Sequence, residues 1–347
     1  MVFRVSVERG SGGERYEWEG GLDPLFEDPG IEVSYPEIPG GTVRPGDLRD
    51  ADAFVSRSKR VTAESLSDAD DLRIVTRAGA GYDNLDLDAL TEHGVVATHA
   101  PQGPTRAVAE ATVSLLVACA HNLREHEELF EARGYDAARE ADVGYNLEGR
   151  TLGIVGFGRI GRAVADLAAA FGVEMLAFDP YADEGAAADR GVALVDRERL
   201  FAESDLVTIH VPRTPETRGM LGIEDFRAMK ESAWLVNTSR GGIYPDEELA
   251  AAIREGEIAG AAIDVFEGEP DVAGNPLLEL DGCITTPHVT GRTVDTRRRT
   301  GGIMAESIRN VRDGEWPNNV LNPEVYDDPV PERALSPSFR PEAATRR

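Results

Sequence analysis

Three side chains able to handle charge and protons stand in separate segments of the second half of the chain. Arg240 lies in Asn237-Thr238-Ser239-Arg240-Gly241-Gly242, Glu269 in Asp264-Val265-Phe266-Glu267-Gly268-Glu269-Pro270, and His288 in Thr285-Thr286-Pro287-His288-Val289-Thr290-Gly291. Each segment follows an apolar run, at the carboxyl end of an expected strand, where open α/β sheets bind ligands. A planar guanidinium there fits a carboxylate bidentately. An imidazole can carry a proton to or from a hydroxyl or carbonyl oxygen, and a carboxylate beside it favours its protonated form. These are the protein groups that hydride transfer at a hydroxy or oxo acid requires. Singly, none decides anything: Arg240 reads equally as a surface arginine, Glu269 as a solvated loop acid, and His288 is one of six histidines. His93, His99, His121 and His126 read as structural or solvated, whereas His210, just before Val211-Pro212, could line the same crevice.

A binding site for the hydride carrier is signalled by Gly156-Phe157-Gly158-Arg159-Ile160-Gly161, which follows the apolar run Leu152 to Val155 and opens the Ala-rich stretch Arg162 to Phe171. Gly156 permits a tight strand-to-helix turn, Gly158 lets backbone approach a pyrophosphate, and Gly161 lets the helix pack on the strand. The helix N-terminus then offers free N–H donors to phosphate. Asp179, at the end of the following apolar run, would accept hydrogen bonds from the adenosine ribose hydroxyls. Its charge repels the 2′-phosphate of NADP, and no arginine follows before Arg190, so the cofactor expected is NAD.

The elements that must position these groups form two series. Phe3 to Val7, Ile31 to Ser34, Ala53 to Ser56, Arg73 to Thr76 and Val95 to Thr98 read as strands between helical or polar spacers, a pattern that implies βα units and a parallel sheet. A helix is expected from Thr105 through Asn122, with Val108, Thr112, Leu115, Leu116 and Cys119 on its apolar face. Beyond the loop around Gly144 a second series begins: Thr151 to Val155, Val173 to Phe178, Leu206 to His210, Ala233 to Asn237, Ala261 to Val265 and Cys283 to Thr285. Asp246 to Glu255 reads as a helix entered at Pro245 and stopped at Gly256. Val294 to Arg312 reads as another, crowded with Arg297, Arg298 and Arg299.

A chain of 347 residues, 41% apolar, is long for one core, so two domains are expected. No N-terminal run reads as a signal peptide, and the longest apolar stretch, Val113 to Ala120, is short of the ~20 residues that span a bilayer. A cytoplasmic enzyme is the expectation. Cys119 and Cys283 are too few for a disulfide framework or a zinc cluster and read as buried thiols, and no metal site is expected. The 63 acidic residues outnumber the 36 basic ones, for a net charge of −27, and Lys59 and Lys230 are the only lysines. Such a field argues against nucleic-acid and membrane partners. It is best tolerated where salt shortens the Debye length to ~3 Å at about 1 M, which points to a halophilic cytosol.

Taken together, the segments resemble the D-isomer-specific 2-hydroxyacid dehydrogenases over nearly the whole chain, from Val2 to about Asn322. The matches are Gly79-Ala80-Gly81-Tyr82-Asp83-Asn84, Val108-Ala109-Glu110, the glycine turn, Val211-Pro212 with Thr214-Pro215-Glu216-Thr217, and the segments around Arg240, Glu269 and His288. The resemblance implies two parallel-sheet α/β domains, a Rossmann NAD-binding domain (101–289) inserted into a flavodoxin-like substrate domain (1–100 and 290–325), and then a flexible tail (326–347). It implies that Arg240 binds carboxylate and carbonyl, that His288 is the general acid/base, and that Glu269 is its partner. It places NAD on Gly156, Gly158, Arg159, Ile160, Gly161, Asp179, Val211, Pro212, Thr217, Thr238, Asp264 and Gly291, with Asp264 at the nicotinamide carboxamide. The substrate, a small 2-oxo or 2-hydroxy acid, would meet Arg57, Ser58 and the Gly79, Ala80, Gly81 loop. Phosphoglycerate is favoured if Arg57, Lys59, Arg60 and Arg106 bring cations to the cleft, with glyoxylate or hydroxypyruvate close behind. A homodimer is implied, with the helix near Val108 at the interface. Pro104 replaces the polar residue common in phosphoglycerate dehydrogenases, and no serine-binding regulatory domain is expected after Asn322. The competing reading, also within this superfamily, is an NAD(H)-binding corepressor-like protein or sensor with incidental turnover.

Overall fold

The computed structural model describes residues 2–9, 18, 20–141 and 143–326. The segment read as a tail lies outside them, apart from Tyr326, which ends the helical turn Pro323–Tyr326 with its ring centroid 4.0 Å from that of Trp316. The chain divides into two compact units, Met1–Pro104 with Arg292–Arg347, and Thr105–Gly291.

In the first unit, five parallel strands, β1 (Phe3–Val7), β2 (Ile31–Ser34), β3 (Ala53–Ser56), β4 (Ile74–Arg77) and β5 (Val96–His99), stand in the order β2-β1-β3-β4-β5. This is the flavodoxin-like order, with its switch point between β1 and β3. Alternation along the strands feeds two cores. Ala53 and Val55 pack on one face with Val5 and Ile74, and Phe54 packs on the other with Val75 and Ala97. The helix Val294–Asp313 covers the first face through Met304, Ala305, Ile308 and Val311, at helical spacing. Thr293 caps its N-terminus by accepting from Thr296 N–H at 3.1 Å, and Gly314 ends it in the left-handed region at φ +77°.

In the second unit, seven parallel strands, β6 (Thr151–Val155), β7 (Glu174–Phe178), β8 (Val192–Leu194), β9 (Leu206–Ile209), β10 (Trp234–Asn237), β11 (Gly260–Ile263) and β12 (Cys283–Thr285), stand in the order β12-β11-β10-β9-β6-β7-β8. The order reverses between β6 and β9, so the loops that follow these strands open the crevice in which a doubly wound sheet holds its ligand. Leu235, Ala261 and Ile263 join one core, and Val236 and Ala262 the other. Both cysteines are buried and unpaired.

The strands start and stop within a residue or two of their expected places. The long helix runs Gln102–Ala120, beginning earlier than expected because Pro104 falls in its first turn, where a missing N–H costs nothing. Val108, Thr112, Leu116 and Cys119 are buried, and Leu115 half-buried. Two further helices, Leu123–Arg133 and Tyr135–Arg139, occupy the stretch read as connection before Gly144. Neither buries a residue, so apolar periodicity could not announce them. The first is supported by i,i+4 pairing instead, Arg124 Nε to Glu128 Oε1 at 2.6 Å. Strand β8 was also unannounced, being three residues long with an exposed centre.

Candidate active site

The glycine turn follows β6 at the switch point. Gly156 has φ +91°, and a Cβ there would lie 2.8 Å from the backbone carbon of His210 and from Val211 Cγ1, so only glycine fits. A Cβ on Gly161 would come within 2.3 Å of the Gly156 carbonyl, so this glycine lets the helix Arg159–Ala168 meet the turn. A Cβ on Gly158 would meet nothing within 4 Å, and no side chain caps the helix at that residue. The N-terminal N–H groups around Arg159, Ile160 and Gly161 are therefore open to an anion. Asp179, one residue past β7, accepts the Phe157 N–H at 2.8 Å through Oδ2 and the Tyr181 N–H at 2.8 Å through Oδ1. The Tyr181 hydroxyl in turn donates to Glu216 at 3.1 Å, so two carboxylates flank this end of the crevice. The residues present thus fit a dinucleotide without a 2′-phosphate.

Arg240 sits in the turn after β10, and Asn237, fully buried at the strand's end, organises that turn. Asn237 Oδ1 accepts Ser239 N–H at 3.0 Å and the Ser239 hydroxyl at 2.8 Å, and Nδ2 donates to the Arg240 carbonyl at 3.0 Å. Gly241 brings this turn against the Glu269 segment, since a Cβ there would be 2.0 Å from Phe266 O. The Glu269 segment is tied down by buried Asp246, whose Oδ2 accepts Glu267 N–H at 3.1 Å and Asn275 Nδ2–H at 2.6 Å.

Glu269 Oε1 accepts the Phe266 N–H at 2.7 Å, and Oε2 lies 2.7 Å from His288 Nδ1. A carboxylate only accepts, so Nδ1 donates and Nε2 is left to exchange a proton. Burial pushes the Glu269 carboxyl up, but the His288 bond and charge, the Phe266 N–H and the Arg240 charge outweigh it and hold the group below the usual carboxylate range. A cavity of about 270 Å³ adjoins the pair, lined also by Phe266, Pro270, Leu278 and Pro287.

His288 has φ +53°, a left-handed conformation that strains a non-glycine residue. Asp264, 0% exposed, holds it there. Its carbonyl accepts the His288 N–H at 2.8 Å, and its carboxylate accepts Thr286 Oγ1–H at 2.6 Å, Val289 N–H at 2.8 Å, Thr290 N–H at 3.1 Å and Thr290 Oγ1–H at 2.5 Å. Asp264, expected at the nicotinamide, thus carries four donors from the histidine segment on its two oxygens. His210 is neutral, its burial pushing it down to about 3, and its Nε2 is 3.0 Å from Thr208 Oγ1.

Among the other residues expected at the cofactor, Thr217 Oγ1–H donates to Pro212 O at 2.5 Å, shaping the turn after Val211. Thr238 is buried, its hydroxyl 2.8 Å from that of Thr112. Gly291 closes the second unit. Arg57, Ser58, Gly79, Ala80 and Gly81 belong to the first unit. Arg57, Lys59 and Arg60 follow β3 in that unit, while Arg106 is in the second unit and pairs with Glu110 at 2.5 Å. Gly79 has φ +131°, and Ala80 O meets His99 Nδ1 at 2.8 Å. Sequence reasoning missed Asn237 and Asp246 as organisers. The one available signal was a polar residue closing an apolar strand or following a proline.

A model of the NAD-binding domain of D-isomer-specific 2-hydroxyacid dehydrogenases matches residues 113–290. The chain is 40% identical over 308 residues to a D-3-phosphoglycerate dehydrogenase of Methanocaldococcus jannaschii, covering 86% of this chain and 58% of that protein. It is also 40% identical over 281 residues to a glyoxylate reductase of Korarchaeum cryptofilum, covering 80% of this chain and 85% of that one. A crystal structure of a Thermus thermophilus protein superposes with a TM-score of 0.79 at 32% identity, over 92% of this chain and all of the other. The apo-structure of D-lactate dehydrogenase from Escherichia coli gives 0.77 at 25%, with the same coverage. The chain spans little more than half the length of the curated phosphoglycerate dehydrogenases it matches.

Proposed function

Because the chain belongs to the D-isomer-specific 2-hydroxyacid dehydrogenase family, we propose that it interconverts a 2-oxo acid and a D-2-hydroxy acid with NAD as cofactor. The observation that carries this reading is the bonded pair Glu269–His288, at 2.7 Å, with the Arg240 charge acting on it. The hydride to the carbonyl carbon would come from NADH bound there. Arg240 holds the substrate carboxylate and carbonyl and stabilises the charge that develops on oxygen. His288 delivers the proton from Nε2, and Glu269 orients the ring by accepting from Nδ1. Asp264 keeps the strained His288 backbone in place. Gly156, Gly158, Arg159, Ile160, Gly161, Val211, Pro212, Thr217, Thr238 and Gly291 would hold the dinucleotide, and Asp179 its ribose.

The substrate meets Arg57, Ser58 and the Gly79–Gly81 loop. Ala80 and Gly81 keep N–H groups with no partner among the described residues, which suits them to a carboxylate. The favoured acids are 3-phosphohydroxypyruvate, glyoxylate and hydroxypyruvate, since relatives of both kinds match at 40% identity. A homodimer is proposed with the helix Gln102–Ala120, near Val108, at its interface; the helices Leu123–Arg133 and Tyr135–Arg139 that follow it leave Leu123, Phe130 and Tyr135 exposed. The domain limits proposed remain 1–100 with 290–325, and 101–289. A cytoplasmic, halophilic setting without nucleic-acid or membrane partners is proposed on the net charge of −27. Among the described residues no helix is long and apolar enough to cross a membrane. The melting temperature should rise steeply from about 0.1 to about 3 M KCl as repulsion is screened, and a flat curve counts against the halophilic reading.

NADH oxidation at high salt with 3-phosphohydroxypyruvate, hydroxypyruvate, glyoxylate and pyruvate tests the reaction. Turnover with one of them is expected. Tight NADH binding with no turnover on any of them would instead support the corepressor-like role.

A further inference from the structure

One turn of the first unit directs three successive N–H groups and a hydroxyl at a carboxylate of the protein itself. Glu8 follows β1, and the turn Arg57–Lys59 follows β3, so both stand at the switch point of the five-stranded sheet. Glu8 Oε2 accepts the N–H of Arg57 at 2.6 Å, of Ser58 at 2.9 Å and of Lys59 at 3.1 Å. Oε1 accepts the Ser58 hydroxyl at 2.6 Å and shares the Ser58 N–H at 3.1 Å. Glu8 is 2% exposed, so these donors replace its water. Converging backbone N–H groups of this kind make an anion-binding concavity. In this unit the concavity is filled from within.

The far side of the turn is closed by Asn84. Its Nδ2–H₂ donates to Lys59 O at 2.6 Å and to Ser56 Oγ at 3.0 Å, and its Oδ1 accepts Arg77 Nε–H at 2.9 Å. Arg77 also donates through Nη1 to the Ala78 carbonyl, at the root of the Gly79–Gly81 loop. One bonded chain therefore runs from Glu8 through the turn and Asn84 to that loop.

We propose that Glu8 is the positioning residue of the substrate-binding half of the enzyme: its carboxylate, seated in the N–H nest of Arg57–Lys59, fixes that turn and, through Asn84, the Gly79–Gly81 loop, without touching the substrate. The proposal rests on the reading of Arg57, Ser58 and Gly79–Gly81 as substrate contacts. It carries a chemical corollary. With the side chain removed, the nest becomes a receptor for a small free carboxylate.

The experiment compares the parent with Glu8→Gly, Glu8→Gln and Arg57→Ala, using NADH and the most active oxo acid, at constant ionic strength with chloride replaced stepwise by formate. In Glu8→Gly, stranded donors should raise KM for the oxo acid about tenfold or more. Its kcat and its Kd for NADH should stay near parental. Formate should lower that KM saturably, and should not lower it in the parent or in Glu8→Gln, whose nests stay filled by a side chain. An unchanged KM in Glu8→Gly, with a raised KM in Arg57→Ala, would overturn the proposal and leave the substrate reading standing. An unchanged KM in both variants would overturn the substrate reading and the proposal with it. A raised KM that formate does not restore would reduce Glu8 to a structural residue and also overturn the proposal. Should Glu8→Gly fail to fold, Glu8→Ala with parental NADH binding decides by the same readout: a raised KM that formate lowers supports the proposal, and a parental KM, or a raised one that formate does not lower, overturns it.

Discussion

In the second unit the donors at the start of the helix after β6 stay open, because a Cβ on Gly158 would meet nothing within 4 Å and the helix has no side-chain cap. In the first unit the donors after β3 are closed on Glu8. Both sheets are parallel, and both present these groups at a switch point, where two neighbouring strands send their chains in opposite directions. What differs is the side chain that arrives there. Asp179, from the strand beside β6, takes the Phe157 N–H and leaves the helix start to a ligand, whereas Glu8 takes three successive N–H groups and turns the same geometry into a scaffold.

The comparison can be broken or sharpened by substitution, beginning with the open crevice. His288→Gln should lower kcat by about 10²- to 10⁴-fold, the usual worth of a positioned acid/base, with NADH affinity little changed. Steady-state kinetics beside NADH fluorescence titration checks this, and an unaffected kcat removes His288 as proton carrier. Arg240→Lys should cost about 10²-fold in kcat/KM, because a point charge cannot reproduce the guanidinium fork. Gly158→Val tests openness itself. A Cβ at this position meets nothing within 4 Å, so the melting temperature should hold while Kd for NADH rises about tenfold or more. A parental Kd would mean that the dinucleotide does not approach there.

The smallest effect concerns pH. Glu269 is held below the usual carboxylate range, so its contribution to stability is complete above the ordinary glutamate value and is lost only as pH falls through the depressed one. Glu269→Gln has no such carboxyl to titrate, so the acid limb that protonation of Glu269 gives the parent's kcat/KM profile should be missing from the variant's. A profile superimposable on the parent's would show that the pair does not govern proton delivery.

Much of this was legible in advance wherever the signal was periodic or local. The strands of both sheets announced themselves as β-branched runs between turn residues, and the glycine turn announced its neighbours on both sides. The helix Leu123–Arg133 did not, since none of its residues is buried and charge pairing leaves no apolar rhythm. Glu8 is the more instructive omission. In a chain with 63 acidic residues, nothing in the line of letters separates one buried carboxylate from dozens of solvated ones. Asp264 is similar: the resemblance implies a place at the nicotinamide carboxamide, but not the four donors from the histidine segment that fill its oxygens.

The sequence by itself determined the two parallel sheets and the dinucleotide turn, because alternation, turn chemistry and glycine spacing are short-range properties of the chain, and it offered Arg240, Glu269 and His288 as candidates through the family resemblance. Tertiary structure alone decided which polar groups face one another. Glu269 meets His288 across 19 residues, and Glu8 meets Ser58 across 50. Such pairings depend on which strands lie side by side and on how completely water is excluded between them, and no local pattern encodes either.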